Sequence, residues 1–425
     1  MNALRPETGQ LTGEALTQET SLPERGIVAL VLLCSANYFL DGLVHSILGP
    51  LAPGIARDLG LSRAALGPIF SANLIGQCLG LVVTPMFVSR FGHRKVLVLT
   101  ITGFGIAQAI TAFSTSGAML LGLRIVTGFF LGGALPSGFA LVAAKVPLKR
   151  RGTAISLLFT GYGLGAVVSG LIAGLFVGVM TWRTAMMAIG ALCLIAAACS
   201  WRWLDDAMPE GPQAGPERTV SVAAIVRPPY RLGTLMLWLM FVSMLTINYC
   251  LNSWLPTLLT DVGREASFAA LCISMFAGGG LVATLVIGPL IDLFGSMRVL
   301  CTFLSVAAIA LFAVGKAIVE TSPAVLLCLL AVGGFASLGA YSGINVVLAD
   351  FYPANLRAVG VGWTKSVGRL GTVLAPIIIG QALEAGISEA TVTSLFAVPA
   401  VLTLFAYVTV ALEIAKSRKQ AEQTA

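Results

Sequence analysis

Five ionisable side chains stand inside long apolar runs: Asp41, His45, Arg124, Lys365 and Arg369. Asp41 and His45 are four residues apart, so on a helix they share one face, and Lys365 and Arg369 do the same. A carboxyl and an imidazole one turn apart can take up and release a proton. The imidazole ordinarily titrates near about 6.5. A guanidinium grips a planar anion through its bidentate fork, and a lysine one turn away adds a second positive charge. No enzymatic constellation accompanies them. The chain has two histidines, and no nucleophile stands with a base or a ligand cluster. The eight cysteines are scattered singly through apolar stretches and read as small hydrophobes. We therefore expect no catalytic residue, no metal and no cofactor.

The surrounding elements are membrane helices. The 425 residues are 57% hydrophobic and 11% charged, against about 25% charged in soluble domains, and mean hydropathy is +0.92. Twelve stretches approach the roughly 20 apolar residues that a crossing needs. The first six fall at about 27–49, 65–88, 95–115, 118–144, 153–176 and 183–203. The second six fall at about 232–255, 267–291, 297–318, 323–349, 358–382 and 391–413. This predicts an all-α membrane protein with a tail over 1–26, a six-helix bundle over 27–203, a linker over 204–231, a second bundle over 232–413 and a tail over 414–425. At such positions a charge costs about 2.5–3.5 kcal/mol, which marks the five residues as functional by default.

Basic residues set the orientation. With both termini inside, cytoplasmic segments hold 18 of the 26 Lys and Arg. Arg57, Arg63, Arg183, Arg264 and Lys316 fall outside, and the other three lie within helices. The clusters Arg90/Arg94/Lys95 and Lys149/Arg150/Arg151 thus read as topology signals and not as a nucleic-acid patch. A lipid bilayer is the expected partner, nucleic acid is not, and a monomer is expected.

The scaffold is written twice. An offset of 203 residues places Pro53, Asp58, Gly60, Phe91 and Gly92 on Pro256, Asp261, Gly263, Phe294 and Gly295. An offset of 206 places Gly128, Phe129, Gly133, Arg151, Gly165 and Gly174 on Gly334, Phe335, Gly339, Arg357, Gly371 and Gly380. Paired six-helix halves are a transporter architecture, with the site at their interface. The charges break the repeat: Arg124 falls on Leu330, Lys365 on Phe159 and Arg369 on Gly163. At 1.5 Å per residue, Asp41 lies roughly 21 Å from the inner end of its helix and Arg124 about 9 Å below the outer end. The two share a level and can pair, either as a structural bridge or with Arg124 as counter-ion of a proton-carrying Asp41. Arg369 falls near the midplane and is expected to hold a carboxylate. Lys365 either assists it or snorkels to the inner surface. His45 either relays a proton or meets interfacial water. Asn37, Asn73, Gln77, Tyr162, Tyr249, Asn252, Tyr341, Asn345 and Trp363 are candidates to finish a polar, aromatic-lined cavity, each with packing as the alternative.

The segment Arg90-Phe-Gly-His-Arg-Lys and its echo Gly288-Pro-Leu-Ile-Asp292-Leu-Phe-Gly295-Ser-Met-Arg298 resemble the short signature of the major facilitator superfamily. Asp41-Gly42, Gly132-Gly-Ala-Leu-Pro136, Tyr352-Pro with Gly362-Trp363, and Val367-Gly-Arg369-Leu-Gly371 are similar to its aromatic acid:proton symporters. The chain departs from that pattern at Val44, Pro85, Ser89 and Ala144, where the family carries two acids, a Gly and a third acid in its signature and helices. His45, beside Val44, is in place to substitute for the second acid of helix one. The resemblance implies proton-driven uptake of a small organic anion, an aromatic carboxylate, across a bacterial inner membrane by alternating access. Proton-antiport efflux and symport of a non-aromatic carboxylate are the alternatives. Against efflux, Gly161 to Gly170 contains no proline. A membrane sensor would need an output domain, for which the linker and tail are too short. The signatures imply an inner latch in which Arg90, Arg94, Arg151, Asp292, Arg298 and Arg357 take part, with Asp292 facing Arg151.

Overall fold

The computed structural model describes residues 24–175, 179–204, 222–319 and 321–424, and among these there is no strand. The first half runs α1 Glu24–Ser46, α2 Leu48–Leu59, α3 Arg63–Phe91, α4 His93–Thr111, α5 Gly117–Lys145, α6 Leu148–Leu175 and α7 Trp182–Trp203. The second runs α8 Arg231–Asp261, α9 Ala266–Phe294, α10 Ser296–Ala317, α11 Pro323–Phe351, α12 Ala354–Glu384, α13 Glu389–Leu395 and α14 Ala397–Thr424. Counting α1–α2 and α13–α14 as one crossing each gives the twelve expected. Eleven are long and apolar enough by themselves. The other, α4, starts with His93, Arg94 and Lys95, yet its 19 residues reach about 28 Å and lie between α5 and α7.

Several boundaries differ from expectation. The first crossing breaks at Ile47 and continues as helix to Leu59, because Pro50 has no N–H to give the carbonyl one turn back. Pro399 has the same effect near Phe396, where α13 gives way to α14. The tail expected from 414 is helical through Thr424, in keeping with its Lys, Arg, Gln, Glu and Ala content. Most of the expected linker (205–221) and the N-terminal tail to residue 23 lie outside the described residues.

The sequence repeat is a repeat of contacts. A Cβ on Gly128 would strike the carbonyl oxygen of Asn73, and one on Gly334 would strike that of Phe276. Gly76 is closed in by Ile125 and Phe129, and Gly279 by their counterparts Ala331 and Phe335. These glycines bring α3 onto α5 and α9 onto α11 at backbone distance, the close approach that small residues permit in membranes. Gly92 (φ +80°) and Gly295 (φ +81°) turn α3 into α4 and α9 into α10 in a left-handed conformation that favours glycine.

The halves join through α3 on α12, α6 on α9, and α2 on α8. Two hydrogen bonds related by the pseudo-two-fold axis tie this seam. Ser71 Oγ donates to the Val373 carbonyl at 2.6 Å and Ser274 Oγ to the Val167 carbonyl at 2.8 Å. These bonds lie toward the end opposite the basic clusters, called here the far end. There Arg63 bridges Asp261 at 3.0 Å and Glu389 at 3.4 Å, and Phe70 meets Trp254 edge-on at 5.3 Å. Along the seam α8 packs on α2 rather than α1, and at the basic end Met86 and Leu293 are exposed.

Overpacking the glycine crossings should destabilise the fold by about 1–3 kcal/mol. We expect Gly128→Leu and Gly334→Leu each to lower the thermal midpoint of the purified protein. Gly122→Ala, where a Cβ meets open space, should leave it unchanged or slightly raised.

A polar site between the two halves

The site is built where α1, α3 and α6 of the first half face α8, α11 and α12 of the second. Asp41 is buried on α1, 1% exposed, and neither carboxylate oxygen has a hydrogen-bond partner in the protein. One turn on, the His45 ring lies 5.0 Å from Tyr249 in an edge-on contact and 6.3 Å from Tyr162. Its Nδ1 sits 3.3 Å from Asn73 Nδ2 and 3.4 Å from Gln77 Nε2. With these amides donating, Nδ1 is an acceptor and the ring proton is on Nε2. Tyr162 of α6 and Tyr249 of α8 join side chain to side chain by a hydrogen bond that crosses between the halves.

The second half supplies the positive charge. Arg369 on α12 is within electrostatic reach of Asp41, His45, Tyr162, Tyr249 and Tyr341. Its guanidinium forms no hydrogen bond or ion pair among the described residues. Lys365 and Trp363, toward the open basic end, are both exposed. Tyr341 packs on Phe241 at 5.8 Å and accepts at its own carbonyl from Asn345 Nδ2 at 2.7 Å. The result is a half-exposed cation facing a buried carboxyl, walled by three tyrosines and a histidine, closed on the far side and open on the basic side. Among the described residues no three His, Cys, Asp or Glu come together to hold a metal.

The family model of the Major Facilitator Superfamily matches residues 34–265 and 237–425. The chain belongs to the major facilitator superfamily. It is 30% identical over 404 residues to the gallate transporter of Pseudomonas putida, covering 87% of this chain and 89% of that one. It is 31% identical over 408 residues to the 4-hydroxybenzoate transporter PcaK of Pseudomonas aeruginosa, covering 88% and 90%. These relatives agree with the resemblance to aromatic acid transporters read from the sequence. The crystal structure of a D-xylose-proton symporter superposes with a TM-score of 0.74 at 16% identity, covering 90% of this chain and 97% of that one. It shares the fold.

In this facilitator several residues are placed otherwise than their sequence suggests. Arg124 does not pair with Asp41. It is 1% exposed and donates to Gln108 Oε1 at 2.9 Å and Thr111 Oγ1 at 2.7 Å, both on α4. A level estimated from the rise per residue does not fix azimuth. Arg124 turns to α4, although it also borders a small pocket with His45, Asn73 and Tyr249. Gln108 and Thr111, a polar i, i+3 pair in an apolar run, were the overlooked signal. Asn37 Nδ2 donates to Ser200 on α7 at 3.0 Å, and Asn252 Nδ2 to Ser46 at 3.1 Å, so both amides are already used in helix packing.

The inner latch is not formed in this conformation. Asp292 is exposed and makes no ion pair with Arg151 among the described residues. Arg298 and Arg357 are exposed. Arg90 lies over Phe91 at 5.4 Å and Arg94 over Trp201 at 4.9 Å.

A double-mutant cycle on thermal stability separates these pairings. We expect Arg124→Met with Gln108→Leu to show a coupling of about 0.5–3 kcal/mol. Arg124→Met with Asp41→Asn should be additive within about 0.5 kcal/mol.

Proposed function

We propose that this facilitator imports an aromatic carboxylate together with a proton. The observation that carries the reading is Arg369, a guanidinium without a partner at the mouth of an aromatic-walled site and facing a buried carboxyl. The substrate carboxylate takes the guanidinium in a bidentate contact. Its ring stacks among Tyr162, Tyr249 and Tyr341, each such pair adding about 0.5–1.5 kcal/mol beyond burial. Lys365, nearer the open end, draws the anion in. The relatives named for gallate and 4-hydroxybenzoate support this substrate class.

Coupling follows from competition for one cation. In the empty site Arg369 serves Asp41. A substrate carboxylate that takes Arg369 leaves Asp41 without a cation, and a buried carboxyl in that position is carried neutral, with a proton. Substrate and proton therefore travel together. His45, its Nδ1 occupied by amides, presents Nε2–H to the substrate as a donor. The halves rock about the site, with the basic end cytoplasmic by the excess of Lys and Arg there and the protein in a bacterial inner membrane with both termini inside. When the basic side closes, Asp292 and Arg151 form the latch that is open here.

Transport in proteoliposomes tests this. Asp41→Asn should lose accumulation driven by a pH gradient while keeping exchange of labelled for unlabelled 4-hydroxybenzoate. Arg369→Gln should weaken binding of that acid by about 10- to 100-fold, the worth of a hydrogen bond to a charged group. Gradient-driven accumulation by Asp41→Asn at the wild-type level would remove Asp41 from the coupling step.

A further inference from the structure

A groove of about 560 Å³ lies on the outer surface of the second half, between α10 and the α13–α14 break, remote from the polar site. Its origin is local. Pro399 cannot supply the N–H that would join it to Leu395, and the helix breaks at Phe396. On the other wall, Gly315 lets α10 approach Ser394 at backbone distance, which holds the two elements together at the far end while they diverge below. Phe312, Leu395, Val398, Val401 and Leu402 are between 41% and 53% exposed along it.

The groove is graded by depth. Lys316, in the last turn of α10, stands at the far-end rim beside Thr391 and Ser394. Leu402 lies seven residues below Leu395, about 10 Å deeper at 1.5 Å per residue, and everything at that depth is apolar. Among the described residues no acidic side chain lines the groove and Lys316 makes no ion pair. Its ammonium lies 5.6 Å from the Phe312 ring. On a membrane-crossing bundle this surface faces lipid. A cation at headgroup depth above an apolar channel matches one kind of occupant. We propose that the groove binds one anionic phospholipid of the far-side leaflet, its phosphate on Lys316 and one acyl chain between α10 and α14. This does not depend on the transport reading.

Lys316 also stands at a helix C-terminus, where any cation is favoured by the helix dipole. That role alone gives no headgroup preference, so the test reads preference. Native mass spectrometry of the full-length protein, mixed with equal phosphatidylglycerol and phosphatidylcholine, should show phosphatidylglycerol retained about fivefold over phosphatidylcholine, the effect of one basic residue near a lipid surface. Lys316→Gln should bring that ratio to near unity while leaving total bound lipid unchanged. Val398→Trp, which fills the groove, should reduce both lipids, with the folded state checked by circular dichroism. Equal retention of the two lipids by the wild type would overturn the proposal. So would a preference that survives Lys316→Gln, or displacement of the lipid by millimolar inorganic phosphate.

Discussion

Asp41 and Arg369 stand on opposite halves of the molecule, the carboxyl buried and the guanidinium half-exposed. A lone buried charge is costly, and the cost falls steeply when an opposite charge faces it. Because Arg369 belongs to the other half, the positive charge nearest the carboxyl is supplied across the interface between the halves. The remaining architecture serves this arrangement. The glycine crossings within each half bring its helices to backbone distance, the serine bonds of the seam join the halves, and the tyrosines and His45 shape the space between.

The scaffold was legible because it is written in backbone geometry. Gly128 and Gly334, or Gly92 and Gly295, do the same task in each half, so their spacing survives in the sequence. Helix count and the paired halves followed from the apolar runs and from the repeat. What was not legible was azimuth. The rise per residue puts Arg124 and Asp41 at one level, yet a rotation about the helix axis decides whether the guanidinium meets a carboxylate or Gln108 and Thr111. Asn37 and Asn252 illustrate the same limit, because an amide serves Ser200 or Ser46 as readily as a ligand. The continuation of helix past Ile47 was missed because Pro50 reads as a stop. In a crossing supported by neighbours it produces only a break.

The two ends of the molecule are chemically unlike. The far end is joined by ion pairs, an aromatic edge contact and paired hydrogen bonds. At the basic end, Asp292, Arg298 and Arg357 are free of one another and Arg90 and Arg94 rest on aromatic rings of their own half. Among the described residues, the polar contacts that hold the halves together are therefore concentrated at the far end.

Arg63 is the meeting point at that far end. One guanidinium from α3 reaches a carboxylate at the end of α8 and another at the start of α13, and it is 40% exposed. Exposed ion pairs are worth only about 0–1 kcal/mol, and dissolved ions weaken them over a Debye length of about 8 Å at physiological salt. A clasp of this strength biases two conformers by no more than about fivefold, which keeps both of them within thermal reach. Under the alternating access proposed above, the ionic strength of the surrounding medium would then act as a throttle on cycling rate, with dilute surroundings prolonging the dwell and salty ones shortening it.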